Sequence, residues 1–81
     1  MTEEELRFEF DPSLDEGFPA ARAHFGAWLD GLGIDGDDGE ELHVVLSELM
    51  ANAVEATHGD DPISVWAQRQ GAKVWLSLIH I

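Results

Sequence analysis

Leu42, Val45, Leu46, Leu49, Met50, Ala53 and Val54 recur at the three-and-four spacing that puts apolar side chains on one face of a helix. A chain that builds such a helix must also supply a layer to cover that face. At about 100° per residue, Glu48 and Asn52 fall roughly 40° apart on one flank of the face, with Glu41 and Glu55 beside them. That flank is the border between core and solvent, where the wall of a pocket would lie. Taken alone, a glutamate followed four residues later by an asparagine reads as a solvated helix edge.

The covering layer is legible on both sides of the helix. Leu6-Arg7-Phe8-Glu9-Phe10 alternates apolar and charged residues, the period of a half-buried strand, and Asp11-Pro12-Ser13 breaks it. A first helix is expected from about Phe18, with Pro19 in its opening turn, where the missing N–H costs nothing. Phe18, Ala21, Phe25, Trp28, Leu29 and Leu32 mark its buried face, and Asp30-Gly31-Leu32-Gly33 closes it. The second helix is expected over about Asp38 to Thr57, with Asp38 and Glu41 as a capping pair and His58-Gly59 as the stop. Ile63, Val65 and Ala67 then alternate with polar neighbours, Gln70-Gly71-Ala72 turns, and Val74, Leu76 and Leu78 line the core side of a strand running to Ile81. The fold class expected is α+β, one domain over residues 1–81 in two layers, with both helices on one face of a small, mostly antiparallel sheet.

Charge and composition narrow the functions. Seventeen acids stand against Arg7, Arg22, Arg69 and Lys73, for a formal charge of −13. Four scattered cations cannot form the basic stripe that displaces counterions from phosphates, so no nucleic-acid partner is expected, and an anionic membrane surface is repelled too. A nucleotide bound by such a chain would need a divalent cation and backbone amides to hold its phosphates. Cysteine is absent, which removes disulfides and thiolate metal sites, and the acidic start Met1-Thr2-Glu3-Glu4-Glu5 is the opposite of a secretion signal. A cytoplasmic location is the expectation.

In its surroundings, Ser47-Glu48-Leu49-Met50-Ala51-Asn52-Ala53-Val54-Glu55 resembles the N-box of the histidine-kinase-like (GHKL) ATPases, the superfamily of gyrase-type topoisomerases, heat-shock chaperones, sensor kinases and mismatch-repair ATPases. Leu42 to Ser47 before it and Asp61-Pro62-Ile63-Ser64-Val65 after it are similar to the anti-sigma-factor serine kinase branch. The resemblance implies that Glu48 is the catalytic carboxylate that polarises the attacking hydroxyl, and that Asn52 ligates the magnesium bridging the phosphates of ATP. It implies that Ala53 and Ala56 leave room for the nucleotide. Phosphoryl transfer depends on positioning and charge neutralisation, so a base and a metal ligand one turn apart on one rigid helix suit it. The partners implied are ATP, a sigma factor and an anti-anti-sigma factor, and a homodimer is compatible with them.

Two departures stand out. Ala56 occupies a place where the kinase branch usually has histidine, and no Asp-x-Gly-x-Gly run, which in the family reads the adenine amino group, occurs in the chain. The chain is therefore expected to be the N-terminal portion of such a domain and inactive as it stands. Ser77-Leu78-Ile79-His80-Ile81 has two readings, a native strand and the translation of an assembly adapter.

Other chemistries find less support. Asp35-Gly36-Asp37-Asp38-Gly39 lacks the closing bidentate glutamate of a calcium loop. His24, His43, His58 and His80 show no ligand spacing, and the serines and threonines do not assemble a nucleophilic triad. Trp28, Trp66 and Trp75 read as core or sheet-face residues. The alternative function is a small acidic protein-interaction module that binds no nucleotide.

Overall fold

The computed structural model describes residues 4–57 and 61–80. In chain order these form β1 (Glu5–Phe10), α1 (Gly17–Gly31), α2 (Gly36–Thr57), β2 (Ile63–Gln70) and β3 (Lys73–His80). The sheet has the order β1-β2-β3 and is antiparallel throughout, so β2 is its central strand. α1 packs against β1 and α2 against β3, and the two helices pack against each other. This is the expected α+β architecture.

Register explains why one face of the sheet is buried. Phe8 stands opposite Val65 and Val65 opposite Leu78, while Ala67 joins Leu6 to Leu76 in the same way. The alternating pattern thus aligns into apolar rows facing the helices. Ile63, Val65 and Ala67 on the central strand are wholly buried, together with Phe25 of α1 and Leu46 of α2. Each large side chain so enclosed contributes about 1.5–3 kcal/mol relative to an exposed one.

The element ends have local causes. Asp11 stops β1 by accepting hydrogen bonds from the Ser13 amide (2.9 Å) and the Ser13 hydroxyl (2.6 Å). α1 begins at Gly17, one residue earlier than expected, because the chain passes so close to the Asp11 carbonyl that a side-chain carbon at position 17 would collide with it. It ends in a Schellman motif. Gly33, at φ 76°, donates to the Asp30 carbonyl (3.1 Å), and the Ile34 amide donates to that of Leu29 (2.9 Å).

α2 also starts early, at Gly36. The Gly39 amide donates to the Asp35 carbonyl (3.3 Å), so Asp35 occupies the cap position and Asp38 lies within the first turn. The acids Asp37 and Asp38 still face the positive end of the helix dipole. The stop expected at His58-Gly59 lies outside the described residues. Between β2 and β3, Gln70 pairs with Lys73, and Gly71 at φ 62° makes the two-residue turn.

One expectation about the core is corrected. Val45, assigned to the buried face of α2, is 39% exposed, whereas its neighbour Leu46 is fully enclosed. The sheet ends at β3 among the described strands, so the flank of α2 that carries Val45 overhangs the edge.

Candidate functional site

Glu48 and Asn52 sit side by side on α2, one turn apart, and both are open to solvent. The other side of the same turns carries Leu46 and Met50, both buried in the core. The pair therefore projects from a helix that is clamped on its far side, which is the mechanical condition for holding two groups at fixed separation. Neither of the ion pairs formed among the described residues, Arg7 with Glu5 and Arg69 with Glu4, involves Glu48.

The two alanines diverge. Ala53 is 8% exposed and belongs to the core cluster, so it serves to bring α2 close to its neighbours. Ala56 is open to solvent on the last turns of the helix. Glu55 is likewise exposed.

Asn52 offers a neutral amide oxygen, a hard donor of the kind magnesium accepts. That ion commonly takes only one or two protein ligands and completes its shell with water and phosphate oxygens. Among the described residues no three or more His, Asp or Glu side chains converge on a metal position. The donors on this flank are the Asn52 amide oxygen and, one turn before it, the exposed Glu48 carboxylate.

The histidines are placed elsewhere. His43 meets the edge of Phe25 at 5.5 Å between α1 and α2, and His24 stacks on Phe8 at 5.0 Å. Both rings take part in packing around the core.

Two features escaped the sequence reading. The first is a groove of about 450 Å³ beside the N-terminal half of α2, lined by Ile34, Asp38, Leu42, Val45 and Val74 among others. Its signal was the spacing of Asp38, Glu41, Leu42 and Val45 on one helix stripe; what lies across from them depends on where the β2–β3 turn folds. The second is on the helix-free face of the sheet. There the Trp66 indole N–H donates to Glu5 Oε2 (2.8 Å), and Arg7 Nε donates to the same oxygen (2.9 Å). The indole hydrogen bond first, and the guanidinium second, hold the Glu5 carboxyl below its usual pKa range.

No family model matches this chain, and neither a curated protein nor a solved structure shows significant similarity to it. No helix among the described residues is long and apolar enough to cross a membrane.

Proposed function

We infer that the flank of α2 bearing Glu48 and Asn52 is the metal-facing wall of a histidine-kinase-like ATP-binding domain. The observation that carries this reading is the placement of the N-box-like pair: both side chains face solvent one turn apart on a helix whose opposite side is locked into the core. The antiparallel sheet with two helices on one face is in keeping with it.

In the complete domain, bound magnesium would neutralise charge on the phosphates, and Asn52 Oδ1 would hold that ion. Glu48 would accept the proton of a protein serine hydroxyl as that oxygen bonds to the γ-phosphorus, while the bond from this phosphorus to the β–γ bridging oxygen breaks and ADP leaves. Ala56 would leave space beside the helix for the nucleotide. The substrate by the same resemblance is a serine of an anti-anti-sigma factor, the second partner is a sigma factor, and a cytoplasmic setting goes with both. This chain supplies no Asp-x-Gly-x-Gly segment, so its own affinity for nucleotide is expected to be weak.

Weak binding is still measurable with manganese as a paramagnetic stand-in for magnesium. In NMR spectra of the chain with Mn-ATP, amide signals of Asn52 and Ala56 should broaden first, and Asn52→Ala should remove that broadening. Equal broadening in the variant, or broadening confined to the acids of the Asp35–Glu41 region, would mean that the metal sits elsewhere.

A further inference from the structure

The geometry points to the groove between the N-terminal half of α2 and the β2–β3 turn as a docking site for a cationic amphipathic helix of a partner protein. Its floor is apolar, made by Ile34, Leu42, Val45 and Val74, and Asp38 and Glu41 form its rim on α2. Arg69, which also reaches the groove, has its guanidinium directed to the Glu4 carboxylate (3.2 Å) and the Leu32 carbonyl (3.5 Å). The α2 side of the rim is therefore negative, and the exposed Lys73, between Ala72 and Val74, stands on the hairpin side.

The helix surface beside the groove shows what it is shaped for. Val45, which lines the groove, is 39% exposed, with Glu41 one turn before it and Glu48 one turn after it. Valine is a poor choice for an exposed helix position on propensity grounds, since its branched side chain loses rotamer freedom there. An exposed valine flanked by acids adds nothing to helix stability and is an apolar contact point with negative neighbours. A helix laid in a groove with anchors at successive turns is a recurrent recognition mode, and complementary charge gives it orientation and a fast association rate.

Charge also selects the occupant. A second copy would bring its own −13; of its four cations Arg7 and Arg69 are already ion-paired, Arg22 lies over the Phe18 ring, and Lys73 is a lone strand residue that cannot supply cations at helical spacing. Lysine or arginine spaced one turn apart on a partner helix would meet Asp38 and Glu41, with leucine-like side chains entering between Leu42 and Val74. The groove lining includes neither Glu48 nor Asn52, and Glu48 lies one turn beyond Val45 on the same flank.

The test uses the chain with three synthetic helices of about four turns. One is amphipathic with lysine flanking its apolar stripe, one carries glutamate in place of lysine, and one has the lysine peptide's composition with the stripe scrambled. Fluorescence anisotropy should show the lysine amphipath binding at least tenfold more tightly than either control. Asp38→Asn with Glu41→Gln should weaken it roughly three- to tenfold, as expected for two rim pairs. Val45→Lys should abolish it, with circular dichroism showing the fold retained. NMR shifts should map to Ile34, Leu42, Val45 and Val74. Equal binding of the scrambled peptide, an unchanged affinity in the double variant, or shifts around Trp66 and Ile79 on the other sheet face would overturn the assignment. So would dimerisation of the free chain through this groove in sedimentation.

Discussion

Substituting alanine at two adjacent positions of α2 gives the sharpest check on how this helix is seated. Leu46 is fully enclosed, at the centre of the contact between α2 and the sheet, whereas Val45 overhangs the edge at 39% exposure. Leu46→Ala removes buried carbons and leaves a cavity, which costs about 3 kcal/mol. Val45→Ala gives up partly buried methyl groups worth about 1 kcal/mol and regains about half of that in helix propensity, for a net loss near 0.5 kcal/mol. A domain of 81 residues has a total stability on the order of 4–12 kcal/mol, so the first change removes a large share of it. At 4–8 °C per kcal/mol for a domain of this size, Leu46→Ala should lower Tm by roughly 12–24 °C and Val45→Ala by about 2–4 °C. Urea unfolding followed by tryptophan fluorescence and by circular dichroism would measure both. Equal losses, or a larger loss at Val45, would mean that α2 is rotated and that the groove beside Val45 does not exist.

The glycines at the end of α1 should respond in opposite directions. Gly31→Ala, in the helix with open space around it, should stabilise by about 0.5 kcal/mol, whereas Gly33→Ala, at φ 76°, should cost about 1 kcal/mol; thermal melts of the two would separate by roughly 8 °C. For Glu5 the folded-state pKa is lowered, so its stabilising contribution is present above the ordinary glutamate pKa and is lost as pH falls through the lowered folded value. An acid titration of the Trp66 indole N–H resonance should show that step below the usual carboxylate range, and Glu5→Gln should abolish it. Self-association should rise with added salt and as pH approaches 4.2, because both weaken the repulsion that keeps the free edge of β3 and the exposed Trp75 and Ile79 from meeting a neighbour. Light scattering that stays flat across that series would show that the outer sheet face is not adhesive.

Periodicity carried most of the fold. The alternation in Leu6–Phe10 and Ile63–Ala67 and the helical repeat around Leu46 each report burial directly, because side-chain direction follows backbone period. Element starts were harder to read. Both helices begin ahead of their first strongly apolar residues, α1 because Gly17 must pass the Asp11 carbonyl and α2 because Gly36 takes a left-handed turn. Neither cause is local to the residues that define the helical pattern. Val45 was misplaced for a related reason: a repeat records which residues share a face, but the width of the covered part depends on how far the sheet extends beneath it. The pairing of Glu48 with Asn52 was legible from spacing alone, while the groove at Asp38 and Glu41 was not, since Val74 and Arg69 reach it only through the β2–β3 hairpin.

The two readings of α2 concern one acidic flank, and helix geometry decides how far they interfere. Glu41 and Asn52 are eleven positions apart, which at 1.5 Å per residue is roughly 16 Å along the axis. That exceeds the screening length of about 8 Å at physiological ionic strength, so charge placed at one end is only weakly felt at the other. A cationic helix in the groove would therefore change metal affinity at Asn52 chiefly through Glu48, which lies between them and is exposed to both. Neutralising Glu48 with glutamine should weaken whatever coupling exists without removing either site's own contacts. Both proposed sites would take a positive counterpart for the same reason: α2 presents its carboxylates to solvent and most of its apolar residues to the core. Where Val45 is left uncovered beside the groove, the counterpart proposed is amphipathic; farther along, at the site proposed beside Asn52, it is a small hydrated cation.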